Sequence, residues 1–103
     1  MLFPDIARKV AVALFEAVGD RTSADDVIPV LARHQPLLAE ASKALGATSD
    51  IEPIGQAPLS KRRERAFELW MEMLDNLNRD NVHGMRCAIA HYLPRINSLL
   101  AAA

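Results

Sequence analysis

Between Phe67 and Leu99, large apolar residues recur at alternating steps of three and four. Phe67, Trp70, Leu74 and Leu77 come first, then Val82, Met85, Ile89, Tyr92, Ile96 and Leu99. At 3.6 residues per turn, this spacing stacks side chains along one stripe of a helix. The runs are separated by Asn78, Arg79, Asp80 and Asn81. So short a link makes the two helices antiparallel neighbours, and the chain is predicted to end in a helical hairpin. Pro94 falls inside the second stripe without changing its phase, which predicts one kinked helix or two abutting ones.

The residues before the hairpin repeat the helical signal in shorter pieces. A first helix is expected from about Pro4 to Val18: proline suits a first helical position, Asp5 complements the positive end of the dipole, and Gly19 suits a left-handed cap. Its main stripe is Ile6, Val10, Ala13, Leu14 and Ala17, and Val12 with Phe15 fall elsewhere, so burial on two sides is predicted. Ser23 and Asp26 resemble a capping box with aspartate in place of glutamate, opening a second helix near Ala24. Pro29 either kinks that helix or delays its start to near Val27, and its end is expected near Arg33. A third helix runs from Pro36 to Leu45, closed by Gly46, and Ser60 is expected to cap a fourth that reaches about Arg79.

No alternating strand pattern and no internal repeat interrupts this series. The expectation is an all-α fold, a small bundle of four to five helices ending in the antiparallel hairpin, with residues 1–103 as a single domain. The chain has 103 residues, 50% of them hydrophobic and 24% charged, too apolar for disorder and the right length for one core. Residues 46–58 carry two glycines and two prolines without helical period, so they read as a loop, either a crossover between helical pairs or a binding element. A chain this short buries only about two-thirds of its unfolded surface, so a half-apolar composition leaves apolar area for a partner. The single cysteine, Cys87, fits a reducing compartment. The apolar run Val10–Val18 contains Glu16 and is too short to span a bilayer, and Asp5 before its basic residues argues against a signal sequence. A cytoplasmic address is expected.

His83, Cys87 and His91 lie four residues apart, which places them on one helix face and raises the question of a metal site. Two neighbours in that series can meet one ion, but the outer histidines are separated by roughly 12 Å along the axis. Structural zinc sites usually show a second closely spaced pair, and none is present. For catalysis, Cys87 and His91 lack a recognisable orienting group and oxyanion site, and a mid-helix thiol misses the helix N-terminal field that lowers thiol pKa. The sequence therefore predicts no enzyme, no metal and no cofactor.

The remaining features point to contact with another protein. Opposite the stripe of the last helix lie His83, Cys87, Ala90, His91, Pro94 and Ser98, a weakly charged face that suits either a partner or burial on both sides. On the fourth helix, Ala66, Phe67, Leu69, Trp70, Met71, Met73, Leu74 and Leu77 cover around half the circumference, with Trp70 and Met73 as residue types favoured at interfaces. Lys61, Arg62, Arg63 and Arg65 precede Glu68, Glu72 and Asp75, an order the helix dipole disfavours. Two such helices laid antiparallel match basic end to acidic end; the plainer alternative is internal pairing such as Arg65 with Glu68. Arg62, Arg63, Arg65, Leu69, Trp70, Met73, Cys87 and His91 are the candidate partner-binding residues. The expected function is a small regulator or adaptor, a homodimer that masks a partner such as a transcription regulator, as an antiactivator does. The rival reading is nucleic-acid binding through Lys61–Arg65. The net charge of −1 and the lack of a basic recognition helix argue against it, and no membrane association is expected.

Overall fold

A computed structural model describes residues 5–46, 58–77 and 82–101, without the side chains of 82–88 and 101. Five helices follow one another: α1 (Asp5–Val18), α2 (Ala24–Arg33), α3 (Gln35–Ala44), α4 (Leu59–Leu77) and α5 (Val82–Ala101). No strand occurs among the described residues. The all-α bundle ending in a helical hairpin is what the periodicity required: α4 packs chiefly on α5, and α5 also lies against α3. Asn76 Nδ2 donates to the Tyr92 hydroxyl at 3.3 Å across the hairpin, and Gln35 Nε2 donates to Asn97 Oδ1 at 2.9 Å between α3 and α5. α1 packs mainly on α3, and α2 bridges α1 and α4.

One cluster of buried residues draws on every helix, with Leu14, Leu31, Leu38, Trp70, Leu93 and Ile96 fully enclosed. Each large apolar side chain moved from water to this interior stabilises the fold by about 1.5–3 kcal/mol. The one buried polar residue among those described, Ser42, donates its hydroxyl to the Leu38 carbonyl at 2.8 Å, so its burial leaves no orphaned donor. Among the described residues no helix is long and apolar enough to cross a membrane.

The helix boundaries follow local chemistry, with two departures from expectation. Gly19 (φ 60°) and Gly46 (φ 77°) take the left-handed conformation after α1 and α3, the conformation that side chains with a Cβ rarely adopt. After Gly19, the Arg21 guanidinium donates to the Ala17 and Val18 carbonyls at 3.0 Å each, occupying acceptors that a helix end leaves open. The first departure is at Ser23: its hydroxyl donates to Asp26 Oδ2 at 2.9 Å and makes no bond to a backbone amide, so the capping box is replaced by a side-chain bridge. As the first of the two expected alternatives has it, α2 begins at Ala24 and passes through Pro29, leaving the Asp25 carbonyl without its usual i+4 donor. The second departure is that α4 starts one residue before Ser60, and the Pro58 carbonyl accepts from the Lys61 and Arg62 amides. α5 is likewise one helix through Pro94.

Between α2 and α3 the chain changes helix at one residue. The His34 amide donates to the Val30 and Leu31 carbonyls, and its ring Nδ1 lies 2.9 Å from the Val30 oxygen. The His34 carbonyl accepts from the Leu37 and Leu38 amides, so one residue ends α2 and opens α3.

The expectation that α1 is buried on two sides holds at Phe15, which is half-buried against Trp70, and fails at Val12. Ala7, Val10, Ala11, Leu14 and Val18 face the core, but Val12 is 46% exposed. Its neighbours α2, α3 and α5 therefore leave the Val12 side of the helix open.

Candidate protein-docking groove

A groove lies between α2 and the first turns of α4. Its lining is Ala24, Asp25, Ile28, Pro29 and Ala32 from α2, and Ser60, Arg63 and Glu64 from α4, around about 460 Å³ of space. Ile28 is buried and makes an apolar floor. Pro29 and Ala32 are exposed along one wall, with Asp25 at its end. Arg63 and Glu64 are exposed on the other wall. The groove thus combines an apolar base with one cationic and two anionic side chains at its edge. Such a surface accepts an apolar side chain and orients it through charged neighbours. Among the described residues no three His, Cys, Asp or Glu side chains group to hold a metal ion.

Of the eight residues singled out from sequence, Arg63 alone lines this groove. Arg62 is half-buried beside it in α4. Arg65 turns to its own helix, 3.1 Å from Glu68 and 3.9 Å from Glu72, so internal pairing accounts for the basic-then-acidic order there. Both pairs are largely exposed, and each contributes at most about 1 kcal/mol. Leu69, Trp70 and Met73 correct the sequence reading: they are 2%, 0% and 0% exposed, enclosed in the chain's own core. The apolar arc of α4 is wide because the helix is covered by α5 and by α2, not because a second chain is needed. Trp70 meets Phe15 in a tilted ring contact with centroids 5.5 Å apart, and its indole N–H has no hydrogen-bond partner among the described residues.

On α5, His91 is exposed and its ring meets Tyr92 edge-on at 4.7 Å. Ala90 is exposed too, so this part of the helix is not buried on both sides. The side chains of Cys87 and His83 lie outside the described residues, as does the loop at 47–57.

Sequence reasoning missed the α2 wall of the groove. A signal was present, since Asp25, Pro29 and Ala32 follow one another at steps of four and three on the exposed face of α2, where two small or apolar residues stand in place of charges. That α4 forms the opposite wall is a long-range packing fact without a local pattern. Comparison of the chain with protein-family models, with curated proteins and with solved structures finds no match.

Proposed function

We propose that the chain is a non-enzymatic interaction protein, an adaptor or a regulator that masks a surface of another protein, acting as a homodimer. The observation that carries this reading is the α2–α4 groove, an apolar floor at Ile28 bordered by Asp25, Arg63 and Glu64. Its partner is an amphipathic segment of another protein, with an apolar anchor over Ile28 and Ala32, a basic group toward Asp25 or Glu64 and an acidic group toward Arg63. Masking a transcription regulator in the manner of an antiactivator is one use of such contact. The reading includes a cytoplasmic address, where a lone cysteine stays reduced.

The test is to fill the groove from its lip. Ala32 is exposed, and arginine is a good helix former, so Ala32→Arg keeps the fold while placing a long charged side chain across the groove. Tagged wild-type and Ala32→Arg protein are used to capture partners from the native cell, with circular dichroism confirming equal helicity. The expected result is a captured protein that is lost with Ala32→Arg. Identical captures overturn the groove as the site. Tight duplex DNA binding lost in Lys61→Ala/Arg63→Ala moves the nucleic-acid reading ahead.

A further inference from the structure

The exposed face of α1 carries a charge pattern that is complementary to its own antiparallel copy. Around the helix, Asp5, Arg8, Lys9, Val12 and Glu16 are all exposed, and Val12 at 46% lies in the middle. Together with half-buried Ala13 they surround an open depression of about 510 Å³. Arg8 and Glu16 each lie four residues from Val12, one on either side, so all three share one face. The two charges are about 12 Å apart along the axis, beyond contact. Lys9 and Glu16, seven residues apart, have Cα positions about 10 Å apart along the axis. Among the described residues, Arg8, Lys9 and Glu16 make no ion pair.

We propose that this face is the homodimer contact, with the α1 helices of two copies antiparallel about a two-fold axis passing beside Val12. The proposal rests on the homodimeric part of the reading above and names its surface. A two-fold contact brings each residue before Val12 opposite one equally far after it. Val12 then meets Val12 of the partner subunit. Arg8 lies opposite Glu16 of the partner subunit, and Lys9, one residue nearer the centre, flanks the same carboxylate. The exchange occurs twice, once at each end. A parallel arrangement brings like charge to like charge and is disfavoured. Asp5, seven residues before Val12, falls opposite Gly19 of the partner subunit and outside these pairs. Ala13 at the edge of the depression lets the helices approach closely. An interface centred on one helix face is small, so the dimer is a weak one whose specificity comes from charge matching.

The test uses charge exchange. Sedimentation equilibrium of the full chain at about 100 µM, well above a micromolar Kd, should give twice the 11.3 kDa chain mass. Glu16→Lys alone and Arg8→Glu/Lys9→Glu alone should each raise the Kd by about tenfold or more through like-charge contact. An equimolar mixture of the two variants should restore the dimer, because each carries the charges the other has lost. All three positions are exposed, and circular dichroism verifies unchanged helicity. A monomeric wild type overturns this proposal and the homodimer together, leaving the groove to its own capture test. A wild-type dimer unaffected by either variant overturns only the α1 surface. Variants that dissociate but fail to recombine overturn the antiparallel pairing.

Discussion

Replacing Met73 by alanine separates a helix used as core from a helix used as interface. Met73 is fully buried, whereas Met71, two residues earlier and about 200° around the same helix, is 37% exposed. Truncating Met73 removes its apolar atoms from the interior and leaves a void that close-packed neighbours fill only in part, at about 2–5 kcal/mol. An ordinary small domain has about 5–15 kcal/mol of stability in total. At a urea slope of about 1–3 kcal/mol per molar, a loss of about 3 kcal/mol lowers the midpoint by roughly 1–3 M with the slope unchanged. Met71→Ala removes the same atoms from a surface position and is expected to stay within about 0.5 kcal/mol of wild type. The assay is urea unfolding followed by far-ultraviolet circular dichroism. Protein concentrations are matched, because a dimer's midpoint depends on concentration. Equal midpoints for the two variants would refute the placement of Met73 in the core.

The indole N–H of Trp70 gives a second expectation. Trp70→Ala should cost about 3–5 kcal/mol, whereas Trp70→Phe discards the donor that has no partner among the described residues and should cost less than half as much in the same assay. At Gly46 an added Cβ meets nothing within 4 Å among the described residues, so the loss from Gly46→Ala should come chiefly from the left-handed backbone, about 1–2 kcal/mol, and Gly46→Asn should recover part of it in thermal melts.

Much of the architecture was legible because a helix writes its buried face into the sequence at a fixed period. The stripes of α4 and α5, the short link between them and the glycines at 19 and 46 are local signals, and the structure follows them. Which neighbours cover a face is decided by residues distant in the chain. The arc around Trp70 and Met73 gave the correct amount of apolar surface and the wrong partner, since α2 and α5 cover it within one chain. Val12 failed in the opposite direction: an apolar residue off the main stripe was expected to be buried, but the helices around α1 leave that side open. At Arg65 the plainer expectation holds, an ion pair within one helix. The α2 half of the groove was missed because its signal is only a carboxylate and two small or apolar residues on an exposed face, and its concavity comes from the placement of α4 alongside.

The joint at His34 has a consequence for how this protein can change over evolutionary time. With one residue serving both helices, there is no slack in which an insertion can be absorbed. One extra residue there turns α3 by about 100° relative to α2. Leu38, Ala41 and Ser42 would swing away from the interior, and Pro36, Glu40 and Lys43, now solvent-facing, would rotate toward it or to its edge. Substitutions can drift at this corner while its length stays fixed, so a comparison of related chains should find gaps elsewhere before it finds one here.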